Sequence, residues 1–136
     1  MGVAAQQDEE AMDQLLRSKK LLEKAEDILA KEANVEDEFY QDRKPIKRAG
    51  NLAYKAVLNA LNCLFDPLEE FRDDKSWYQK RMDQFGSRPS ILFHSAYCTL
   101  HLSMGYDGNL LPQVSEAGLE VAKEIIDWVE QRLEMA

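Results

Sequence analysis

The stretch from Ile91 to Asn109, ILFHSAYCTLHLSMGYDGN, constrains the fold more than any other part of the chain. If it forms a helix, apolar residues lie on nearly every side of that helix, which is typical of a helix enclosed by its neighbours. The stretch also holds both histidines, one of the two cysteines and two of the six glycines. We therefore predict a buried central helix with the other helices packed around it.

The rest of the chain has helical periodicity, and no segment alternates apolar and polar residues as a half-buried strand does. Residues 9–32 and 45–65 each repeat apolar residues at steps of three and four positions. The dipeptide Asp66-Pro67 is expected to end the second of these helices, because proline cannot continue the backbone hydrogen-bond pattern.

Serine residues predict where the remaining helices begin. Ser76 with Gln79 has the spacing of a capping box and predicts a short helix over residues 77–85. Ser87 and Ser115 are the predicted N-caps of the central helix and of the last helix. Together these patterns predict an all-α fold, an up-and-down four-helix bundle with an additional short helix.

Composition places the chain among globular proteins of one domain. The chain has 136 residues, 45% of them hydrophobic and 31% charged, which suits one domain with a sizeable core. We predict a disordered lead over residues 1–8 and a single helical-bundle domain over residues 9–136.

Charge and hydropathy limit the expected partners and compartment. The formal net charge is −8, which repels nucleic acid and anionic membranes, so we do not expect tight nucleic-acid binding. No apolar run approaches the roughly 18 residues of a membrane span, and the first residues do not form a secretory signal. We expect a cytoplasmic protein whose two cysteines are reduced.

A basic cluster surrounds the predicted start of the second helix and is our candidate anion-binding site: Arg43, Lys44, Lys47 and Arg48. Cations at a helix N-terminus oppose the helix dipole, so local energetics does not explain them. An anion such as phosphate fits among these cations and the free N–H groups. The alternative is internal pairing with the acidic residues 36–38 just upstream.

His94, Cys98 and His101 share one side of the central helix if that helix is regular. Imidazole and thiolate are zinc ligands. However, residues seven positions apart are separated by about 10 Å along a straight helix, so three such ligands rarely converge on one ion. We therefore expect no metal and no cofactor, and we interpret this row as part of a buried face.

The turn after the central helix is the candidate ligand site. Gly105 is expected to adopt a left-handed conformation and to end the helix, which leaves Tyr106, Asp107 and Asn109 at the mouth of a groove. His101 lies about one turn earlier and reaches the same space. The alternative is a plain helix stop without a ligand.

The layout resembles the HEPN superfamily, the nucleotide-binding domains of higher eukaryotes and prokaryotes, and within it a set of small uncharacterised bacterial helical proteins. The segments that resemble this family are LLEKAEDIL at residues 21–29, AGNLAYKAVLNAL at 49–61 and LHLSMGYDG at 100–108, together with the closing helix after Val114. The resemblance extends over residues 10–134 and implies a helical bundle that dimerises.

Members of that family are ribonucleases with an Arg-x4-6-His motif or noncatalytic partners of nucleotidyltransferases. Arg88 and His94 match the spacing of the motif, and they are the catalytic pair that the resemblance implies. In the family the motif lies late in the long helix, whereas Arg88 opens this one and is followed by proline. The resemblance therefore favours the noncatalytic kind.

The function we predict is that of a noncatalytic interaction module or a nucleotide-associated module, and the alternative is a HEPN-type metal-independent ribonuclease. We expect a homodimer and a nucleotidyltransferase-type protein partner. The predicted dimer contact is the small-residue face of the second helix, or Trp77 and Trp128 if these side chains are exposed.

Overall fold

Helices make up nearly all of the described structure. The computed structural model describes residues 2–65 and 74–135, with side chains from residue 9 onward. The elements in chain order are α1 (Gly2–Glu32), β1 (Val35–Glu36), β2 (Phe39–Tyr40), α2 (Arg43–Leu61), α3 (Lys75–Asp83), α4 (Ser87–Ala96), a π-helical segment (Tyr97–Tyr106) and α5 (Pro112–Met135). The predicted all-α class is confirmed, with the small β1–β2 hairpin as an addition.

Helix α2 lies at the centre and packs against α1, the π segment and α5. Its small residues are fully buried and let these neighbours approach closely: Ala49, Gly50, Ala53, Ala56 and Ala60. An ideal Cβ on Gly50 would lie 2.5 Å from the Cβ of Met104 and 2.7 Å from the backbone nitrogen of Gly105. The small-residue face therefore forms an internal contact.

The segment expected to be the enclosed central helix is instead exposed on one side, so that prediction is wrong. Phe93, Leu100 and Met104 are fully buried, but Ile91 is 63% exposed and Tyr106 is 75% exposed. The segment therefore has more apolar residues than the structure buries. The helix with the largest buried share is α2, because three neighbours surround it.

The central helix changes from α-helical to π-helical hydrogen bonding at Tyr97. At its end the N–H of Asp107 donates to the carbonyl of Leu102, five residues back, at 2.9 Å. The left-handed residue that stops the helix is Gly108, with φ of +62°. The prediction for Gly105 is wrong, because Gly105 lies inside the π segment and has no positive φ.

Three helices begin earlier than their serines predict. Ser87 is the first residue of α4 rather than its N-cap, which is Gly86. The cap of α3 is Asp74, whose Oδ1 accepts from the N–H of Ser76 at 2.9 Å. Helix α5 begins at Pro112, a residue that suits the first helical position, so Ser115 lies buried inside the helix. The predicted stop at 66–67 lies outside the described residues.

A tight hairpin connects α1 to α2. Asp37 and Glu38 both have positive φ, +52° and +73°, as the two central residues of a type I′ turn require. The N–H of Tyr40 donates to the carbonyl of Leu110 at 2.9 Å, and its ring is buried. One of the two aromatic residues of this segment thus attaches the hairpin to the rest of the protein.

The predicted core is largely confirmed. The apolar periodicity of the helices predicts eight core residues. Seven of them are buried, namely Leu22, Val57, Leu61, Ala96, Leu100, Ile126 and Val129, while the eighth, Leu92, is half-buried. Helix α1 begins at Gly2, whereas the sequence predicts a disordered lead over 1–8; the division into a lead and one domain over 9–136 stays a prediction. In the described ranges, no helix combines the length and apolarity that a membrane crossing needs.

Candidate functional site

A cleft of about 710 Å³ opens between α1 and α2, with the π segment at one side. Nine residues line it: Gln14, Arg17, Asn51, Tyr54, Lys55, Leu58, Asn59, Asn62 and His101. Its volume lies within the range of about 300–1,000 Å³ that is typical of small-ligand pockets. This cleft is the candidate functional site.

The chemistry of the cleft differs from that of the whole chain. Four amide side chains, from one glutamine and three asparagines, provide donors and acceptors, and Arg17 and Lys55 provide positive charge. None of its described lining residues is Asp or Glu, although the chain has a net charge of −8. The cleft therefore attracts an anionic or amide-like ligand rather than a cation.

Stacked rings form one wall of the cleft. The ring centroids of Tyr54 and His101 are 4.9 Å apart, and those of Tyr97 and His101 are 5.3 Å apart with planes 30° from parallel. The two tyrosine rings also contact each other, with centroids 6.2 Å apart, so the three rings form one cluster. His101 is half-buried and Tyr54 is buried. The packing fixes the imidazole ring in place beside the cleft.

Helical spacing explains why these residues share the cleft. Asn51, Lys55, Leu58 and Asn62 are separated by three or four positions and therefore follow one face of α2. On the neighbouring π segment Gly105 has no side chain, and a Cβ there would overlap the Asn51 amide. The glycine thus allows the asparagine to lie against the π segment.

Hydrogen bonds hold two of the amides. The Nε2 of Gln14 donates to the backbone carbonyl of Asn59 at 3.1 Å, which ties α1 to α2. The Oδ1 of Asn62 accepts from the hydroxyl of Tyr78 at 2.7 Å. Each amide keeps further donor or acceptor capacity for a ligand.

Cys63 lies just beyond this face of α2. Its thiol donates to the carbonyl of Ala11 at 3.3 Å. Burial raises the pKa of the Cys63 thiol to about 11, and the positive charge of Arg17 only partly opposes that rise. The thiol therefore stays protonated at neutral pH and does not act as a nucleophile beside the cleft.

The predicted ligand residues separate in the structure. His101 lines the cleft, whereas Tyr106, Asp107 and Asn109 are not among its lining residues. Tyr106 and Asp107 are exposed, and the Oδ1 of Asn109 accepts from the N–H of Leu111 at 2.9 Å. The helix end at Gly108 thus contacts the following residues and Arg43 of α2, and it does not open onto the cleft.

The structure does not bring Arg88 and His94 together. Arg88 lies 3.5 Å from the carboxylate of Glu124 and lines a cleft of about 200 Å³ between α4 and α5. His94 lines a different cleft, of about 370 Å³, together with residues of α3. The two side chains of the predicted catalytic motif therefore face different spaces.

The cleft at His94 contains a local polar cluster. The hydroxyl of Ser90 donates to Asp83 at 2.5 Å, and the amide of Gln79 donates to the same carboxylate oxygen at 2.9 Å. These hydrogen bonds lower the pKa of Asp83, so its carboxylate is ionised at neutral pH. The cluster joins α3 to α4 and offers no carboxylic acid for proton donation.

His94, Cys98 and His101 do not form the buried face that the sequence predicts, because His94 is exposed and the other two are half-buried. The three residues are divided between two sides of the central helix. The Sγ of Cys98 is 3.6 Å from the Nε2 of His94, while His101 packs against the rings of Tyr54 and Tyr97. Across residues 2–65 and 74–135, no group of three or more His, Cys, Asp or Glu residues is placed to hold a metal ion.

The basic cluster at the start of α2 has partners other than the predicted acidic ones. The guanidinium of Arg43 donates to the backbone carbonyls of Asp107 and Gly108 at 3.2 and 3.1 Å. Arg48 pairs with Glu32 at 2.7 Å. Pairing with residues 36–38 is not observed in the described structure.

Sequence reasoning found His101 but missed the other eight residues of the cleft. A signal was present in the sequence, because residues 43–65 contain no Asp or Glu. Within that stretch Asn51, Lys55 and Asn62 follow one helical face. The contribution of Gln14 and Arg17 depends on how α1 crosses α2, which the sequence does not state.

Comparison with known proteins places the chain in a family. A solved protein of unknown function from Dyadobacter fermentans has 39% sequence identity and a TM-score of 0.80, and the match covers 90% of this chain and 98% of that one. A search of the curated proteins finds no match. The model of a family described as Domain of unknown function (DUF5618) matches residues 13–131. The chain belongs to the DUF5618 family.

Proposed function

We propose that this chain is a noncatalytic binding module that holds a small anionic ligand, a nucleotide, in the cleft between α1 and α2. The observation that supports this proposal is the lining of the cleft, which combines cations with amides and contains no carboxylate among its described residues. The chain as a whole has a net charge of −8 and repels anions. The positive charges of the cleft lining nevertheless attract an anion at this place.

Each part of a nucleotide has a matching group in this proposal. Arg17 on the α1 wall and Lys55 on the α2 wall bind the phosphates, since both are charge donors to phosphate oxygens. The amides of Asn51 and Asn59 bind the polar edge of the base, because an amide both donates and accepts. The ring of His101 lies beside the space that the base occupies.

The module is noncatalytic in this proposal because of the protonation of Cys63 and the contacts of His101. Cys63 is protonated at neutral pH because burial raises its pKa to about 11. His101 contacts aromatic rings rather than a hydroxyl or thiol nucleophile. General base catalysis requires a base within hydrogen-bond reach of the proton that it removes, and the described lining provides no carboxylate for that purpose.

The wider proposal keeps the HEPN-like architecture, that of an up-and-down four-helix bundle in a cytoplasmic bacterial protein. We propose a homodimer that works with a nucleotidyltransferase-type protein partner. Because the small residues of α2 are buried inside the chain, the proposed dimer contact uses the half-buried Trp77 and Trp128. Phe85 contacts Trp128, with ring centroids 5.1 Å apart, and adds exposed aromatic surface there.

The test is a calorimetric titration with ATP, AMP and pyrophosphate. We expect binding of the nucleotides and a loss of roughly tenfold or more in affinity for Arg17→Gln, because hydrogen bonds to charged groups contribute about 1.5–3 kcal/mol. Lys20→Gln, an exposed cation on the same helix, is the matched control and should bind like the wild type. Binding that is absent, or that does not change in Arg17→Gln, contradicts the proposal.

The ribonuclease alternative is tested in the same preparation. After incubation with single-stranded and structured RNA, we expect intact RNA, because Arg88 and His94 line different clefts. Cleavage that His94→Ala abolishes, and that His101→Ala leaves unchanged, would replace the binding module with a nuclease.

A further inference from the structure

The exposed side of α2 is uniformly basic. Its exposed residues are Arg43, Lys44, Lys47, Arg48, Asn51 and Lys55, five cations and one amide. We call these six residues the basic face. No Asp or Glu occurs between residues 43 and 65, although acidic residues outnumber basic ones by 25 to 17 in the chain. The basic face is therefore a local exception to the charge of the protein.

Much of this charge has no partner among the residues that the structure describes. Arg48 pairs with Glu32, and Arg43 is bonded to backbone carbonyls, which do not neutralise its charge. Lys44, Lys47 and Lys55 form no ion pair with the described residues. Cations near the first turns of a helix also oppose the helix dipole. This arrangement costs stability, which is understandable if the charges serve a partner outside the chain.

We propose that the basic face of α2 docks an acidic, extended peptide segment of a protein partner. The spacing supports this occupant. Lys47, Asn51 and Lys55 are four positions apart, about 6 Å along the helix axis at 1.5 Å per residue. Side chains on one side of an extended peptide recur every second residue, at about 6.6 Å. Carboxylates on alternate residues thus fall opposite successive side chains of the face.

Asn51 gives the face a second kind of contact. The residue is exposed between the two lysines, its amide oxygen lies against Gly105 of the π segment, and an amide group both donates and accepts. A peptide backbone presents N–H and C=O groups along its edge, so this amide can bind main chain while the lysines bind side chains. Asn51 and Lys55 also line the cleft, so the docked segment would run up to its mouth.

A peptide fits this face better than nucleic acid does. Single-stranded nucleic acid binds to long positive grooves with aromatic side chains on which the bases stack. The basic face has no exposed aromatic residue, since Tyr54 is buried. A long polyanion would also extend past α2 onto a chain whose net charge is −8. A short acidic segment avoids that repulsion.

The experiment compares two charge-reversal variants of the full chain. Lys44→Glu combined with Lys47→Glu alters the basic face at positions that do not line the cleft. Lys20→Glu combined with Lys24→Glu makes the same charge change on the exposed side of α1 and is the control. Carboxylates in the first turns of α2 suit the helix dipole, so the melting temperature of the first variant should be unchanged or higher.

The probe is a fluorescent peptide of alternating Glu and Ser, about nine residues long, measured by anisotropy against a single-stranded RNA of matched charge. We expect the peptide to bind the wild type and the control, and to bind the Lys44/Lys47 variant at least roughly fivefold more weakly, since two surface charge pairs are replaced by repulsion. Absent peptide binding, an equal loss in the control, or tighter binding of the RNA each overturns the proposal.

A second copy of this chain could also occupy the basic face, and the test must distinguish it from a peptide. Helix α5 exposes acidic residues that could contact the basic face: Glu116, Glu120, Asp127 and Glu134. Sedimentation of the same samples resolves it. Self-association that the Lys44/Lys47 variant loses, without any peptide binding, would overturn the peptide proposal. The peptide proposal shares Asn51 and Lys55 with the nucleotide proposal, but the two fail separately. Arg17→Gln should lose the nucleotide and keep the peptide, while the Lys44/Lys47 variant should lose the peptide and keep the nucleotide.

Discussion

The two sides of α2 differ in composition, in packing and in what they contact. The buried side consists of small and apolar residues against which α1, the π segment and α5 pack. The exposed side consists of five cations and one asparagine, and its edge lines the cleft. One helix thus provides both the centre of the core and most of the candidate site.

This difference shows why a site on α2 can be well fixed in position. A helix surrounded by three neighbours has little freedom to move, so the side chains along its exposed edge keep their spacing without loop ordering. The end of the π segment lacks that support on its outer side, where its last residue, Tyr106, is 75% exposed. A ligand that binds the α2 edge therefore meets groups that are already in place.

The largest effect is expected from truncating the buried side of α2. Leu61 is fully buried, so Leu61→Ala should lower the free energy of unfolding by about 2–5 kcal/mol, the usual cost of removing a core leucine side chain. Urea denaturation followed by circular dichroism measures the change. A loss below about 1 kcal/mol would mean that the contacts at the end of α2 are looser than the structure indicates.

A smaller loss should follow from filling the close contact at Gly50. A new Cβ would lie 2.7 Å from the backbone nitrogen of Gly105 and 2.7 Å from the carbonyl of Leu100. Overpacking against backbone costs about 1–3 kcal/mol, which should exceed the helix propensity of about 1 kcal/mol that alanine adds. We expect a net loss of stability for Gly50→Ala, measured by urea denaturation.

Gly118→Ala is the matched control for that prediction. Gly118 is also buried in a helix, but a Cβ there would meet the side-chain ends of Leu100 and Met104, at 2.9 and 3.3 Å. Flexible side-chain ends can move where backbone cannot, so this variant should lose less stability than Gly50→Ala. Equal losses would show that the contact at Gly50 is not special.

Sequence reasoning identified the helical class and the core because both depend on periodicity, which is local. The steps of three and four apolar positions in α1, α2 and α5 predicted buried residues such as Val57 and Ile126 correctly. Caps were less well predicted, since Asp74 and Pro112 competed with the serines that followed them. Several neighbouring residues can each start a helix, and the tertiary structure determines which of them does so.

The candidate site was mostly beyond the sequence for a different reason. The cleft depends on α1 crossing α2, on the switch to π-helical bonding at Tyr97 and on Gly105 accommodating Asn51. None of these follows from the periodicity of a single segment. His101 was identified because it lay near a glycine-rich helix end, although the expected site at that end is not where the cleft lies.

An intermediate effect should appear at high pH through Cys63, which lies in the turn just after the end of α2. Burial raises the pKa of its thiol from 9.0 to about 11 in the folded state. The unfolded thiol therefore loses its proton first, so the stability linked to Cys63 is fully present below pH 9 and is lost as the pH rises towards 11. In the Cys63→Ala variant, this contribution to the pH dependence should be missing.

The measurement is the free energy of unfolding of the wild type and of Cys63→Ala, at about pH 8 and about pH 10. The free energy of unfolding of the wild type should fall relative to that of the variant when the pH is raised. Cys98→Ala, which removes the other free thiol of the chain, is the control. Parallel pH curves for the wild type and the Cys63 variant would mean that the thiol is better solvated than its surroundings indicate.

The smallest effect on stability is expected on the exposed side of α2. Lys55 is exposed and forms no ion pair with the described residues. Because surface substitutions of this kind change the free energy of unfolding by no more than about 0.5 kcal/mol, and alanine is a good helix former, Lys55→Ala should melt like the wild type. In the same protein, calorimetry should show weaker binding of a nucleotide, since Lys55 lines the cleft. If Lys55→Ala lost several kcal/mol of stability instead, the lysine would belong to the packing of the helix, and the contrast between the two sides of α2 would fail at the residue nearest the proposed ligand.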